Sequence, residues 1–412
     1  MSAIMDALRT ADILLPRPGI DLSKWAVIAC DQFTAQPEYW RAVERFVGDA
    51  PSALRVTLPE IYLSESNARI PAIHRAMREY LDAGVWMTAV EDGFILVSRE
   101  TSKGIRPGLM VCLDLEQYDF NTGSQSLIRP TEGTVVSRVP PRAKIRAGAA
   151  VELPHVMMLI DDPGCTVIEP LLQRSEMLRP LYDVALMGSG GRLRGWAVEG
   201  DDDVDAVFAA LRMLKQKCDD LLYAVGDGNH SLAAAKQCWL DLKATLSPEQ
   251  RENHPSRFAM VELVNLNCPA LTFEPIHRVL FHVDAEAMMA EYVDFLRDNG
   301  GEIGEGDDLV VFDRAHSWRF RSEQHPLRRL QVFLDDYLAR HPDVTIDYIH
   351  GDAALNTLVE RDGALGIMPR AFDKAELFPY IRKWGVLPRK TFSMGRANDK
   401  RYYLEARRIL PE

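Results

Sequence analysis

The residues best equipped for chemistry stand together in one short run, Gly226-Asp227-Gly228-Asn229-His230-Ser231. The run follows an apolar stretch, residues 221–225 (LLYAV), that reads as a strand, and it opens an Ala-rich stretch from Leu232 that reads as a helix. A strand, a glycine loop and a helix start bring backbone N–H groups and the positive end of a helix to one place, which suits a phosphate. Gly226 and Gly228 let the backbone approach a ligand or adopt positive φ. Asp227 could serve as a general base or hold a metal ion. His230 could donate to a phosphate or take a proton near neutral pH, and Asn229 and Ser231 add short polar contacts. The same letters also spell a turn followed by an N-cap, since Asp-Gly and Asn favour turns and Ser caps helices. The run is neither a Walker loop nor a dinucleotide fingerprint, for it lacks Gly-Lys-Ser/Thr and the Gly-x-Gly-x-x-Gly spacing.

Other candidates are sparser. Asp161 and Asp162 follow the apolar run at 155–160 (HVMMLI), where two carboxylates could bind Mg²⁺, although Asp-Asp-Pro-Gly is equally a turn. Glu152 and His155 flank the start of that run and could form an acid/base pair or simply pack. His277-Arg278 offers a guanidinium for phosphate or carboxylate, or an ordinary ion pair. His350-Gly351-Asp352 repeats the strand, glycine, acid, helix order, with Asp352 as an alternative plain cap. Arg389-Lys390, beside Thr391, could supply cations to an anionic ligand or belong to the surface.

The elements that must position these groups alternate. Residues 25–30 (WAVIAC), 94–99, 109–115, 133–137, 193–198, 221–225 and 258–266 read as strands, and 37–46, 71–83, 141–153 and 201–214 read as helices. The last third reads helix, strand, strand, helix, strand, helix. The pattern predicts a mixed α/β (α+β) protein, divided as an N-terminal lobe 1–125, a central lobe 126–283 that carries the loop, and a C-terminal lobe 284–412. The 412 residues hold 48 Lys+Arg against 60 Asp+Glu, a formal charge of −12. That balance disfavours broad binding to nucleic acid. No apolar run is long enough to span a membrane, and residues 1–10 show no secretory signal. Six scattered Cys with no Cys-x-x-Cys pair suggest reduced thiols and a cytoplasmic protein. Nothing in the sequence speaks to oligomeric state.

Several stretches carry a resemblance to a known family: 11–16 (ADILLP), 24–32 (KWAVIACDQ), 37–40 (PEYW), 154–162 (PHVMMLIDD), 226–236 (GDGNHSLAAAK), 274–280 (EPIHRVL) and 387–395 (LPRKTFSMG). Together they resemble the bacterial and archaeal family catalogued as domain of unknown function 1015, over nearly the whole chain. A more distant similarity lies in Asp227-Gly228-Asn229-His230, which resembles the phosphate-binding loop of the ParB/sulfiredoxin-like superfamily and, within it, the Asp-Gly-x-His form of free serine kinases. The resemblance implies a ParB/sulfiredoxin-like central lobe flanked by α/β lobes. Where members of that superfamily often carry Arg, this chain has Ser231, so Arg278, Arg146 or Lys390 would have to supply the phosphate-binding charge. Asn229 occupies the sulfiredoxin Cys position, which disfavours that reaction, and the acidic chain disfavours DNA partitioning.

These readings lead to one main expectation and two alternatives. The main one is nucleotide-dependent phosphoryl transfer from ATP or ADP, with Mg²⁺, to a small hydroxylated metabolite, with serine implied by the resemblance. Asp227 or Glu152 would take the proton, His230 would steady the phosphoryl group, and Gly226, Gly228, Asn229, Ser231, Arg278 and Lys390 would hold phosphate. The alternatives are a non-catalytic nucleotide or metabolite sensor, and a phosphohydrolase using Asp161, Asp162 and Asp227 around a metal.

Overall fold

The computed structural model describes residues 4–5, 7–218, 220–301, 304–322 and 324–411. The chain is mixed α/β and divides into two compact units. One comprises residues 1–271, 381–385 and 396–412; the other comprises 272–380 and 386–395.

The first unit is built on one large sheet. Its main strands are β1 (Ala11–Pro16), β2 (Trp86–Thr101), β3 (Gly104–Asp114), β4 (Ile128–Pro130), β5 (Met157–Ile160), β6 (Arg179–Ala185), β7 (Arg192–Val198), β8 (Tyr223–Asp227) and β9 (Phe258–Asn265), and two two-residue strands near the N-terminus, Ile4–Met5 and Leu8–Arg9, extend it. They run in the order β4-β8-β5-β9-β3-β2-β7-β6, with β1 paired to the first half of β2. Strands from both sides of residue 125 share this sheet, since β9 pairs with β3. The ladder mixes directions: β8 is parallel to β4 and antiparallel to β5, and β9 is parallel to β5.

The sheet is covered on both faces, which explains why its central strands read as continuous apolar runs. Along β2, Phe94 and Leu96 face a core formed with helices α4 (Asp201–Lys217) and α5 (Asn229–Lys243), while Ile95 and Val97 face the opposite core. That second core holds α1 (Pro37–Val47), α2 (Ser66–Asp82) and residues 402–409 of the C-terminal segment. Helix α3 (Val139–Arg146) lies against α5 through Val139, Ala233 and Ala234. Three Asp open α4 and Lys215 and Lys217 close it, as the helix dipole favours.

Two expected strands are absent. Residues 25–29 are buried and Cys30 partly so, but the run forms no ladder: Trp25 ends a one-turn helix and Ile28 makes a single bridge to Tyr402. Their apolar run reflects burial beneath the C-terminal segment rather than strand pairing. Residues 133–137 lead into a 3₁₀ turn, with Val136 exposed. The helix expected over 141–153 stops at Arg146, and Val151–Glu152 is instead a short strand paired with Arg407–Arg408.

The second unit carries a smaller sheet of β10 (Phe273–Phe281), β11 (Leu309–Phe312), β12 (Ser317–Phe320), β13 (Thr345–His350), β14 (Ala364–Pro369) and β15 (Phe392–Met394), in the order β12-β11-β14-β10-β13, with β15 on the first part of β10. Helices α6 (Ala285–Asp298) and α7 (Leu327–Arg340) pack Met289, Tyr292, Leu330 and Phe333 around its Leu280 and Ile367. Among the described residues no helix is long and apolar enough to cross a membrane.

Candidate functional site

Strand β8 delivers the loop. Its register against β5 shifts between Val225 and Asp227, so Gly226 forms an irregularity that re-aims the following residue. Gly228 then takes φ +80°, and a Cβ there would sit 2.9 Å from Val156 Cγ2 and 3.0 Å from Val156 Cα. Only glycine meets both demands, conformation and space. Gly228 is also the N-cap of α5, without a side-chain cap bond, and Asn229, His230 and Ser231 form the first helical turn. The capping reading of Ser231 is therefore not realised. Its hydroxyl is placed 3.0 Å from His155 Nε2.

A compact set of polar groups surrounds this turn. Lys400 Nζ lies 3.0 Å from Asp227 Oδ2, and the Gly228 N–H donates to Asp227 Oδ1 at 3.0 Å. Burial is the largest influence and works to raise the Asp227 carboxyl, but the Lys400 ammonium, His155 and the Gly228 N–H together outweigh it, so the group is held below its ordinary value. His230 Nε2 accepts from the Val135 N–H at 3.2 Å, which places the ring proton of the neutral imidazole on Nδ1. His155 Nδ1 meets the Tyr403 hydroxyl at 3.0 Å, and its Nε2 is 3.9 Å from Asp31 Oδ2. Tyr403 also accepts from the Cys30 N–H at 3.1 Å. Burial, with Asp31 nearby, pushes the Cys30 thiol up to about 12, so it stays protonated. Asn229 Oδ1 is buried with no hydrogen-bond partner among the described residues.

Beside the turn lies a cavity of about 150 Å³ within the first unit. Ser231, His155 and Tyr403 form part of its wall, and the rest comes chiefly from apolar side chains of the segments 56–63 and 149–156 and of α2, α3, α5 and β9. The Glu60–Arg142 and Arg146–Glu152 ion pairs also border it.

The other expected site residues are distributed as follows. Glu152 is buried in an ion pair with Arg146 and Arg407 and accepts from the Met260 N–H at 2.9 Å. Burial opposes its charge, yet the two guanidinium groups hold it below the ordinary glutamate range. With Arg146, Arg407 and an N–H directed at it, Glu152 is a structural anion, and it does not fit the proton-accepting role expected of it. Arg146 is committed to the same cluster. Asp162 accepts from the Thr166 and Val167 N–H groups, the latter at 3.0 Å, and so closes a turn. Asp161 accepts from Asn267 at 3.0 Å. Register places Asp227 opposite Met157, whereas Asp161 follows the far end of β5, about 13 Å further along. Asp161 and Asp162 therefore do not converge with Asp227, which removes the phosphohydrolase built on the three. Among the described residues no group of three or more His, Cys, Asp or Glu could hold a metal ion.

Arg278 and Lys390 belong to the second unit. Arg278 is fully buried and donates to the Ile276 carbonyl at 2.6 Å and the Arg389 carbonyl at 3.1 Å. Lys390 is exposed with φ +59°. In the same unit His277 meets Asp352 at 2.9 Å, which joins two of the sequence candidates.

Lys400, Tyr403 and Asp31 escaped the sequence reading. Asp31 lies within a stretch shared with the resembled family, residues 24–32, a usable signal. Lys400 and Tyr403 sit in a C-terminal segment without a motif, and only the chain's return to the first unit brings them to the loop.

The fold and site define a mixed α/β protein with a strand–glycine loop–helix cradle beside an apolar cavity. A family model described as a protein of unknown function, DUF1015, matches residues 14–345, and the chain belongs to that family. No curated protein matches it. Among solved structures it is similar to a point variant of free serine kinase in complex with ADP (TM-score 0.41, 10% identity, 72% of this chain and 91% of that one). It is also similar to a conserved hypothetical protein from Pyrococcus furiosus (0.36, 10%, 72% and 90%). A third is SbnI from Staphylococcus aureus, truncated at its C-terminus (0.35, 8%, 69% and 81%).

Proposed function

We propose that the chain is a phosphotransferase that moves the terminal phosphoryl group of ATP or ADP to a small hydroxylated metabolite. One observation carries the reading: the first turn of α5 opens behind a glycine that tolerates no side chain, with the Asp227–Lys400 pair beside it. The N–H groups of a helix's first turn lack intrahelical acceptors and can bind phosphate oxygens. Lys400 supplies the cation that the superfamily's loop arginine would give, from another part of the chain. Gly226, Gly228, Asn229 and Ser231 line the cradle, and His230 stands where it can donate to the transferred group. The likeness of Asp227-Gly228-Asn229-His230 to the Asp-Gly-x-His loop of free serine kinases supports the same reading.

Phosphoryl transfer asks a protein mainly for position and charge. The acceptor oxygen bonds the terminal phosphorus as the bond to the nucleotide's bridging oxygen breaks, and the acceptor proton passes to the Asp227 carboxylate. Mg²⁺ commonly takes one or two protein carboxylates, its other ligands being phosphate and water. Asp227 could provide one, and the ion would neutralise phosphate charge.

The test is a thermal-shift series with ATP, ADP, CTP and GTP, with and without Mg²⁺, followed by ³¹P NMR for transfer to L-serine and other hydroxylated metabolites. Ligand binding to the folded state must raise the unfolding temperature. Binding that Asp227→Asn and Lys400→Met both weaken, with a new phosphomonoester signal, supports the proposal. Tight binding without turnover points to a sensor. Absence of any nucleotide effect overturns the site.

A further inference from the structure

The cavity beside the loop has walls that nothing in phosphate chemistry calls for. Met77 from α2, Ile145 from α3, Leu232 and Ala235 from α5, and Met260 from β9 all face it, and its polar groups are Ser231, His155 and Tyr403 together with two ion pairs whose charges already face each other, Glu60–Arg142 and Arg146–Glu152. No polar side-chain atom of the lining is left buried without a partner among the described residues. Such a space offers an incoming molecule apolar contact over most of its body and hydrogen bonds only at its ends. An apolar cavity of about 150 Å³ is the size that holds one benzene-sized molecule.

Ser231 links this space to the loop. It belongs to the first turn of α5 and to the cavity wall at once, and its hydroxyl is already hydrogen-bonded to His155. A hydroxyl group of a molecule lodged in the cavity would meet Ser231 and His155, next to the turn that would hold the phosphates. An amino acid as polar as serine would set its ammonium and carboxylate against Met77, Ile145 and Met260, or against guanidinium and carboxylate groups already paired with one another, so its desolvation would be poorly compensated.

We propose that the cavity is the acceptor subsite, and that it selects a small alcohol or hydroxy compound with a compact aliphatic body of about four to six carbons over serine. The proposal rests on the phosphotransferase reading for the word acceptor; the binding of such a molecule does not. Each additional buried methylene is then worth about a fourfold gain in affinity until the space is filled, and chains too long for the cavity lose that gain.

The experiment is calorimetric titration of the full chain, without nucleotide, against 1-propanol, 1-butanol, 3-methyl-1-butanol, 1-hexanol, 1-octanol and L-serine. Saturable binding that strengthens about fourfold per methylene to a plateau at four to six carbons, with no binding of serine, is expected. Ala235→Leu narrows the cavity and is expected to abolish alcohol binding. Met77→Ala enlarges it and is expected to shift the plateau to a longer chain, so the proposal stays testable if the first variant folds poorly. Serine binding tighter than the alcohols, or the same alcohol series in wild type and Met77→Ala, overturns the subsite. Alcohol binding without any nucleotide effect keeps the subsite and ends the phosphotransferase reading alone.

Discussion

Lys400 sets its ammonium 3.0 Å from the Asp227 carboxylate, across 173 positions of sequence, and so closes the glycine loop with a charge from the C-terminal segment. Lys400 is nearly buried, and 23% of the Asp227 side chain remains exposed. Removing the cation leaves a partly buried carboxylate without compensation. A fully buried pair would lose about 3–5 kcal/mol, and the exposure of Asp227 reduces that. Lys400→Met is expected to lower stability by about 1–3 kcal/mol at pH 7. The double variant with Asp227→Asn is expected to recover part of that loss, because no lone charge remains. Denaturant titration of the four proteins measures the coupling, and additive losses would show that the pair does not interact.

The loop glycine gives a second prediction. Gly228→Ala forces a β-carbon into left-handed backbone, which costs about 1–2 kcal/mol, and against Val156 at 2.9 Å. Part of the contact is with Val156 Cα, which a side-chain rotation cannot relieve. A total loss of about 2–4 kcal/mol is expected, together with loss of nucleotide binding. Gly188→Ala is the control for conformation alone, since it also has positive φ but nothing within 4 Å. Equal losses in the two variants would refute the packing argument.

How far the loop could be read from sequence follows from which contacts are local. The apolar run of β8, the glycines and the Ala-rich start of α5 are neighbours along the chain, so the cradle was visible as a pattern. Lys400, Tyr403 and Asp31 reach it only through tertiary return, and no period or spacing marks them. Glu152 misled for a related reason: its neighbours suggested an acid/base pair with His155, whereas Arg407, from the far end of the chain, fixes it as an ion-pair partner. Residues 25–30 misled because a buried segment and a buried strand share the same apolar run.

Acid should weaken the first unit in a defined direction. Glu152 and Glu262 are both buried, which opposes their charge, yet both are held below the ordinary glutamate value of 4.5, Glu152 by Arg146 and Arg407 and Glu262 by Arg401 and Arg106. A carboxyl depressed on folding binds fewer protons folded than unfolded. Its contribution is therefore complete above about pH 4.5 and is lost as pH falls toward the folded value. Stability from urea titration is expected to climb with rising pH on the acid side of the ordinary glutamate range and to level above about pH 5. Glu262→Gln should flatten that climb while lowering stability at pH 7, because among the described residues Arg401 then keeps Glu405 alone as an ion-pair partner. A pH profile as steep as wild type in that variant would place the titrating group elsewhere.

Tyr403 holds His155 in place, and that role has a separable signature. Its oxygen accepts from the Cys30 N–H and meets His155 Nδ1 at 3.0 Å. Tyr403→Phe leaves both groups facing a ring edge, a loss of about 1–3 kcal/mol for the unsatisfied buried N–H. The hydroxyl also orients the His155 ring, whose other nitrogen lies 3.0 Å from the Ser231 hydroxyl. Without it the ring is free to rotate, and the NOEs between the His155 ring protons and Ser231 are expected to weaken in Tyr403→Phe. A purely structural tyrosine would lower stability and leave those NOEs as in wild type. Unchanged His155–Ser231 NOEs in Tyr403→Phe would count against the orienting role, whatever the stability loss.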